Sequence, residues 1–331
     1  MISLGLIISG LVISTFVSLS WILHPGKLER GFTDHFQQWL DSSSFASQNF
    51  ARTEFVGGSY GGKANAQDKI RNHPVIFIHG LTDIAVGTVG IQQGFSRSIE
   101  YFLLNGYKKS ELYATTWGFG DLTESVASAE TFNEKNVMYV RKFIEAVLQY
   151  TGAEKVDVIA HSMGGPLSRR AIKGGQVTNT IENFNVGLAL TDSIDTYITI
   201  ASPHYGVLQC YGQGNNPSLP QCSNQNGFSP APSQFLKDLN DDPTREGDHI
   251  YSFASSQDHI LTALTYDDFS KYTGTFPTVD QSYYFKTRPY SHDCMKDVTA
   301  MLQLQAVKFH NFNIDFDKMT ENGKYCELYP Y

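Results

Sequence analysis

Short apolar runs alternate with amphipathic stretches along most of the chain. The short runs predict strands at residues 74–78, 112–117, 156–159, 194–200, 250–253 and 283–285. The amphipathic stretches predict helices over residues 91–104 and 294–307, and a third helix with Val137, Phe143 and Val147 on its apolar face that ends at Gly152. Alternation of this kind is typical of an α/β protein with a mostly parallel, doubly wound sheet and helices on both faces.

The domain organisation follows from the absence of repeats and linkers in the sequence, which predicts a single domain over residues 21–331. Residues 24–72 are polar, and a glycine cluster over 57–62 predicts turns, so we expect this segment to lie on the surface. The stretch 205–248 is too long for an ordinary connection. It is expected to be an insertion that forms a lid or a pocket rim.

The first 23 residues carry no charge, and the small residues Ser18 and Ser20 lie at a plausible cleavage point. This pattern predicts a secretory signal peptide over approximately residues 1–20. The run lacks a basic start and is long enough to cross a bilayer, so an uncleaved membrane anchor is the alternative. Because no later segment is comparably apolar, a secreted, extracellular protein without an integral membrane span after cleavage is expected.

Composition excludes several classes of protein. The 331 residues are 41% hydrophobic, which is enough for a sizeable core, and 28 Gly and 12 Pro without a period exclude collagen-like and coiled-coil chains. The net charge of -8, without blocks of like charge, does not suit a phosphate backbone, so nucleic acid is excluded as a partner.

A secreted protein folds in an oxidising compartment, so its four cysteines are expected to form disulfides and not to remain free thiols. Three pairings are possible. Cys210 and Cys222 flank a loop rich in Gly, Asn and Pro, whereas Cys294 and Cys326 are the two near the C-terminus, which predicts the pairs 210–222 and 294–326. The chain has no Cys-x-x-Cys pair, and its Cys and His spacings match no structural zinc pattern, so no metal site is predicted.

The strand predicted at residues 156–159 leads into Ala160-His161-Ser162-Met163-Gly164-Gly165 and then into a predicted helix. This is the context of a nucleophile elbow, in which a sharp turn exposes a serine hydroxyl at the end of a strand. Such a turn requires small residues two positions before and two after the serine, and Ala160 and Gly164 satisfy this, although the strict pattern begins with glycine. Ser162 is therefore the candidate nucleophile.

A serine nucleophile needs a histidine base that is oriented by a carboxylate, and in this architecture the acid precedes the histidine in the chain. Asp258 follows the strand predicted at residues 250–253 and is the candidate acid. Asp192 and Asp195 precede a strand and Asp121 precedes the serine, so they fit less well. The structural alternative for Asp258 is a helix N-cap.

His292 is the candidate base, because it lies after the strand around Tyr284 and before the final predicted helix. His249 begins a strand, His259 neighbours the candidate acid, and His310 lies beyond the last helix, so surface or packing roles are expected for these three.

Two backbone amides are expected to stabilise the oxyanion that forms when a serine attacks a carbonyl. One belongs to the residue after the serine, Met163. The other is assigned to Leu81, because His79-Gly80-Leu81 ends the early strand at residues 74–78. An ordinary turn is the alternative for this His-Gly pair.

These residues resemble the α/β-hydrolase lipases, in particular the lipase class 2 family, which includes small bacterial lipases and a branch expanded in nematodes. The resemblance covers residues 74–306, and an elbow that begins with alanine, as at Ala160, is usual among the bacterial members. Its motifs are residues 73–81, 160–166, 201–206, 255–258 and 291–293. The stretch 205–248 is longer than in the minimal bacterial enzymes, which leaves the shape of the pocket open.

The resemblance implies an α/β-hydrolase fold in which Ser162 is the nucleophile, Asp258 the acid and His292 the base, with Leu81 and Met163 as oxyanion donors. It also implies hydrolysis of carboxylic esters of lipids through an acyl-enzyme, by a triacylglycerol lipase or a lipid esterase without metal or organic cofactor. The expected partner is a lipid ester, including one at a lipid–water interface. Acyl transfer to an alcohol and a non-catalytic lipid-binding or carrier protein are the alternatives.

Overall fold

The computed structural model describes most of the chain downstream of the predicted signal peptide. The described residues are 28–87, 92–120, 128–261, 272–324 and 326. The predicted signal peptide lies outside them. None of the helices formed by these residues has the length and apolar character needed to cross a membrane.

An eight-stranded sheet forms the centre of the described structure. Its strands, in chain order, are β1 (Gly31–Phe32), β2 (Ser59–Gly61), β3 (Val75–Ile78), β4 (Leu112–Thr115), β5 (Val156–His161), β8 (Ile194–Ile200), β9 (His249–Ser255) and β10 (Gln281–Phe285). The spatial order is β1-β2-β4-β3-β5-β8-β9-β10, and only the β2–β4 pairing is antiparallel. The two strands between β5 and β8, β6 (Gln176–Thr178) and β7 (Asn183–Asn185), form a separate antiparallel pair.

The parallel register brings the loops that follow several strands to one edge of the sheet. Phe77 of β3 lies opposite Ile159 of β5, β5 pairs with β8, and β9 lies between β8 and β10. Since the carboxyl ends of parallel strands meet at the same edge, the loops after β3, β5, β9 and β10 all open there.

Helices pack against the sheet in two groups. The first contains α1 (Asp34–Asp41), α3 (Glu134–Thr151), α4 (Gly164–Lys173) and α5 (Gln234–Asp241), and the second contains α2 (Ser96–Leu104), α6 (His292–Val298), α7 (Ala300–Phe309) and α8 (Phe316–Gly323). Each of the six strands predicted from the sequence is present in the sheet, which confirms the prediction of a mostly parallel sheet flanked by helices.

Two predicted helices differ from the observed ones in their bounds. The helix predicted over residues 91–104 begins at Ser96, because Gly94 forms an isolated antiparallel bridge with Val86. The helix predicted over residues 294–307 is divided into α6 and α7 at Thr299. The hydroxyl of Thr299 donates to the carbonyl of Met295, and a side chain that hydrogen-bonds to the preceding turn in this way bends helices.

The segment expected to lie on the surface, residues 24–72, is instead partly built into the core. Phe36 and Leu40 of α1 are buried, and the Phe36 ring lies 4.3 Å from the ring of Tyr150 and 5.4 Å from that of Tyr113, measured between centroids. Phe36 and Leu40 are four positions apart and so share one helix face. The four-residue spacing of Phe36 and Leu40 within an otherwise polar segment is the sequence signal that could have indicated this burial.

Both disulfides join the cysteines in the expected pairs, Cys210 with Cys222 and Cys294 with Cys326. The first closes a turn-rich part of the stretch 205–248, whose regular structure is short 3-10 turns and α5. The second connects α6 to the C-terminal end of the chain.

The packing of α1 predicts a large stability loss when its main anchor is removed. Phe36→Ala is expected to lower the free energy of unfolding by about 3–5 kcal/mol, because it leaves a cavity among aromatic rings. Urea denaturation followed by circular dichroism measures the change. Gln38→Ala, on the exposed face of the same helix, is the control and should change stability little. A loss of less than about 1 kcal/mol in Phe36→Ala would show that α1 does not contribute to the core.

Candidate active site

The turn between β5 and α4 holds Ser162 in a backbone conformation that non-glycine residues rarely adopt. Its φ is 51°, in the left-handed region. The neighbouring atoms leave no space for side chains at the two glycines that contact this turn. A Cβ at Gly80 would lie 2.8 Å from Cβ of Ser162, and a Cβ at Gly164 would lie 2.5 Å from the carbonyl oxygen of His79. Small residues are therefore required here, and such strain is common at functional sites.

Three side chains from three separate loops form a series of two hydrogen-bonding contacts at this edge of the sheet, with the histidine in the middle. Oγ of Ser162 lies 3.0 Å from Nε2 of His292, and Nδ1 of His292 lies 2.9 Å from Oδ2 of Asp258. The other carboxylate oxygen of Asp258 accepts hydrogen bonds from the amides of Ile260 and Leu261, each at 2.9 Å. The structure thus brings together the serine, histidine and aspartate singled out in the sequence.

Burial and charge act in opposite directions on the two ionisable groups of this chain of contacts. For the Asp258 carboxyl, burial would raise the pKa, but the facing His292 and the two amide hydrogen bonds outweigh burial and lower it. For His292, burial would lower the pKa, but the charge of Asp258 and its hydrogen bond raise it above the ordinary value. Asp258 is therefore ionised at neutral pH and favours the protonated form of His292.

His161, which precedes the serine, supports His292 from behind. Its ring is buried, and its Nε2 lies 3.0 Å from the backbone carbonyl oxygen of His292, to which it donates when Nε2 is protonated. Burial lowers the pKa of His161 well below its usual range. A neutral imidazole thus fixes the backbone at the start of α6.

The loop after β3 is held by His79 and Trp117. The two rings are stacked with centroids 5.3 Å apart, the backbone amide of Trp117 donates to Nε2 of His79, and the indole N–H of Trp117 donates to the carbonyl of His79. Burial lowers the pKa of His79 to about 4, so the ring is neutral and accepts through Nε2 at neutral pH. These contacts hold His79 and so fix the start of the loop that contains Gly80 and Leu81.

Leu81 and Met163 follow Gly80 and Ser162 directly, and Gly80 lies close enough to Ser162 that a Cβ on this glycine would be 2.8 Å from Cβ of the serine. Among the backbone hydrogen bonds of turns and loops in the described residues, neither the Leu81 nor the Met163 amide is a donor. A backbone amide without an internal acceptor is one requirement for an oxyanion donor.

A buried ion pair that we did not expect from the sequence joins the loop after β3 to α6. Nζ of Lys296 lies 3.3 Å from Oδ2 of Asp83, and the other oxygen of Asp83 accepts from the amides of Ile84 and Gly94. Burial would lower the pKa of Lys296, but nearby carboxylates, Asp83 first among them, raise it. The signal available in the sequence was the position of Lys296, one helical turn after His292 on the same helix.

The rival candidates weighed in the sequence do not join this cluster. Asp195, His249 and His310 lie together at the opposite, amino-terminal edge of the sheet. His259 is exposed, with its ring centroid 6.4 Å from that of His292. Asp121 lies outside the described residues.

A hydroxyl, an imidazole and a carboxylate connected in series can activate the hydroxyl oxygen as a nucleophile. The imidazole can accept the hydroxyl proton while the carboxylate stabilises the resulting imidazolium, so that the serine oxygen becomes a nucleophile. Backbone amides close to the attacked carbonyl, the role predicted for those of Leu81 and Met163, would stabilise the negative charge that develops on its oxygen. The arrangement is suited to acyl transfer from an ester.

Comparisons with known proteins identify a matching family and similar folds. A family model described as Lipase (class 2) matches residues 72–305. Lipase B of Aspergillus fumigatus resembles the chain with a TM-score of 0.53 and 13% identity, covering 80% of this chain. This chain spans 60% of the length of that fungal lipase. The mature form of Bacillus licheniformis lipase BlEst2 matches at a TM-score of 0.47 and 15% identity, covering 75% of this chain and 97% of its own. The predicted α/β-hydrolase fold is confirmed.

The Asp83–Lys296 pair predicts a strong coupling between the two residues. Lys296→Met is expected to lower the free energy of unfolding by about 3–5 kcal/mol, because it leaves the Asp83 carboxylate buried without its partner. Urea denaturation of Lys296→Met, Asp83→Asn and the double variant gives the coupling energy. The double variant should lose clearly less than the sum of the single losses. Lys318→Met, at an exposed position of α8, is the control, and strict additivity would contradict the coupling.

Proposed function

Because the chain belongs to the lipase (class 2) family, we propose that it is a secreted hydrolase of carboxylic esters of lipids. The resemblance noted in the sequence is confirmed by this family match over residues 72–305. The observation that carries the proposal is the uninterrupted series of contacts from Ser162 through His292 to Asp258. The substrate class is a triacylglycerol or another lipid ester.

In the proposed mechanism, Oγ of Ser162 attacks the carbonyl carbon of the ester while Nε2 of His292 accepts the hydroxyl proton. Asp258 holds the imidazole through Nδ1 and stabilises its protonated form. The carbonyl oxygen becomes negatively charged, and the amides of Leu81 and Met163 donate hydrogen bonds to it. Collapse of the tetrahedral intermediate breaks the ester bond, and His292 returns the proton to the leaving alcohol.

The acyl group then remains on Ser162 as an ester. Water attacks this acyl-enzyme as His292 accepts one of its protons, which gives a second tetrahedral intermediate. Its collapse breaks the bond between the acyl carbon and Oγ of Ser162, His292 returns the proton to Oγ, and the carboxylic acid is released. An alcohol in place of water would give acyl transfer by the same steps, so the acceptor decides between hydrolysis and transfer.

We propose that the stretch 205–248 forms a fixed rim of the substrate pocket. Gln209 supports this, because its side-chain amide donates to the carbonyl of Ile260, two residues after Asp258. The disulfide between Cys210 and Cys222 restricts the same segment. Leu208, Tyr211 and Ile260 are exposed apolar residues near these contacts, and they suit an acyl chain or a lipid surface.

Secretion is part of the proposal and rests on the apolar N-terminal run and on the cysteines. Both disulfides are compatible with an oxidising, extracellular compartment. The proposed mechanism uses no metal and no organic cofactor, because Ser162, His292, Asp258 and the two amides provide every group that the steps above require.

Removal of the proposed nucleophile gives the first functional test. Ser162→Ala is expected to reduce turnover of nitrophenyl esters by about 10⁴- to 10⁶-fold, because no other hydroxyl lies in the chain of contacts. A fluorophosphonate probe should label the wild type at Ser162 and leave the variant unlabelled. Rates on two- to sixteen-carbon esters and on emulsified triglyceride then measure the preference for lipids.

Ser168→Ala is the matched control, because this serine is buried in α4 and hydrogen-bonded to Tyr197 outside the proposed machinery. It should retain activity and labelling. A folded Ser162→Ala protein that keeps a tenth of the wild-type rate would overturn the assignment. If the folded wild type neither hydrolyses an ester nor reacts with the probe, ester hydrolysis is rejected and the result favours a lipid-binding or carrier protein, to be tested by lipid binding.

The pKa of His292 predicts the pH dependence of the reaction. His292 must be neutral to accept a proton, so activity should fall as the pH is lowered through its raised pKa. Asp258→Asn removes the charge that raises this pKa and leaves the opposing effect of burial. The acid limb of kcat/KM should therefore move to lower pH, with a fall in the plateau rate of about 10⁴-fold.

The measurement is the pH profile of kcat/KM on a soluble ester, or of fluorophosphonate labelling where turnover is too slow. Asp293→Asn is the matched control, because the Asp293 charge also raises the pKa of His292 but to a smaller extent than the charge of Asp258. It should shift the limb slightly and keep most of the rate. An acid limb that moves to higher pH in Asp258→Asn would contradict the proposed role of Asp258.

A further inference from the structure

A cluster of histidines and carboxylates lies at the edge of the sheet opposite to Ser162. Asp195 is the second residue of β8 and His249 is the first residue of β9, so both lie at the amino ends of parallel strands. His310 follows the last residue of α7 in a left-handed conformation, with φ 53°. We call Asp195, His249 and His310 the histidine cluster. The proposed ester hydrolysis uses none of them.

The three side chains present their metal-binding atoms to one another. One nitrogen each from His249 and His310 and one oxygen of Asp195 all lie within 4.8 Å of one another. Nε2 of His310 lies 3.0 Å from Oδ2 of Asp195. The imidazole rings of His249 and His310 are stacked, with centroids 3.7 Å apart and planes inclined by 14°.

These distances suit a small divalent cation. Zinc binds imidazole nitrogen and carboxylate oxygen at about 2.0–2.2 Å, which places neighbouring ligand atoms of a tetrahedral site about 3.3 Å apart. The 3.0 Å separation between His310 and Asp195 is close to that value. The nearly parallel rings of His249 and His310 would have to turn out of their stacked arrangement to direct both nitrogens at one ion. The exposed fraction of the His310 side chain is 35%, which gives this ring space to turn and gives water access to a fourth position.

The Asp195 carboxylate is held by further groups, as metal-binding carboxylates usually are. The hydroxyl of Thr196 donates to its Oδ2 at 3.2 Å, and Nδ1 of His73 lies 3.5 Å from the same oxygen. Asp157, on the neighbouring strand β5, is buried, and Oδ1 of Asp157 accepts a hydrogen bond from the backbone amide of Thr196. These neighbours orient the carboxylate before any ligand arrives.

The types of side chain in the cluster also suit zinc. Zinc binds the neutral form of an imidazole and the ionised form of a carboxylate, and the histidine cluster supplies two imidazoles and one carboxylate.

We propose that the histidine cluster is a zinc site in which Asp195, His249 and His310 are the protein ligands and water is the fourth. The ion connects the amino ends of β8 and β9 to the end of α7. Because it lies at the edge opposite to Ser162, its role is to stabilise the fold and not to act on the ester. The spacing of these residues in the sequence, 195, 249 and 310, resembles no zinc motif, and only the fold brings them together.

The test is zinc binding by the full-length secreted protein, purified without a polyhistidine tag and stripped with a chelator. Equilibrium dialysis with metal analysis should give one zinc per chain. Asp195→Asn and His310→Asn should each weaken binding by more than about 10- to 100-fold, the loss typical when even an outer partner of a ligand is removed. Zinc should raise the unfolding temperature of the wild type and not that of these variants. Cobalt(II) bound in place of zinc should give the visible spectrum of a four-coordinate site.

Two controls separate this site from other histidines. His35→Asn removes a histidine outside the cluster that contacts Tyr150 and should keep the zinc. His292→Ala disrupts a second group, His161, His292 and Asp293, whose atoms could also hold a metal ion, and should also keep it. Unfolding in chelator establishes that each variant is folded. Should Asp195→Asn fail to fold, His310→Asn at the exposed position carries the test.

Two outcomes would overturn the proposal. If zinc binding is lost in His292→Ala and retained in His310→Asn, the metal binds beside Ser162. If the stripped wild type takes up no zinc at micromolar concentration, the cluster consists of histidine–carboxylate ion pairs alone. Neither outcome bears on ester hydrolysis, which is measured separately with Ser162→Ala.

Discussion

The strained turn at Ser162 is the constraint on which the site depends. A φ of 51° at a serine is unfavourable, and it persists because β5 enters the turn from the middle of the sheet and α4 leaves it at once. The turn fits only because Gly80 and Gly164 have no side chains, since a Cβ on the first would meet Ser162 and the His161 ring and a Cβ on the second would meet the carbonyl oxygens of Ile78 and His79. The same crowding places the loop after β3 against the serine, so one packing arrangement positions the proposed nucleophile and the loop that contains Leu81.

Buried charges surround this turn, and each is compensated in a different way. Asp258 has two amides and an imidazole, whereas Asp83 has two amides and the ammonium of Lys296. His79 and His161 are kept neutral by burial and serve as fixed hydrogen-bonding groups. Removal of water from a site strengthens such interactions but makes any unpaired charge costly. The rigidity of the site therefore follows from satisfying its polar groups as much as from apolar packing.

The local pattern of the sequence predicted the parts of the fold that depend on local physics. The strand predicted at residues 194–200 coincides with β8, because a continuous apolar run is typical of a strand that is buried on both faces of a parallel sheet. The candidates Ser162, Asp258 and His292 could be chosen because the order of strands determines which loops share an edge. Long-range contacts could not be inferred in this way. The burial of Phe36, the Asp83–Lys296 pair and the break at Thr299 each depend on residues distant in sequence or on competing hydrogen bonds.

A parallel sheet has two different edges, and this chain uses both. At the carboxyl edge, Ser162 and Asp258 follow the last residues of β5 and β9 within three positions, so the strands hold these side chains and can position them for chemistry. At the amino edge, chain segments arrive from helices, and Asp195, His249 and His310 converge although nothing in their spacing relates them. Histidines and carboxylates placed there are free from the requirements of the ester reaction. A cation bound at that edge would restrain the strands β8 and β9 far from the substrate, and β9 leads directly to Asp258. If both proposals hold, stability supplied at the amino edge would support the positioning of Asp258 that ester hydrolysis requires.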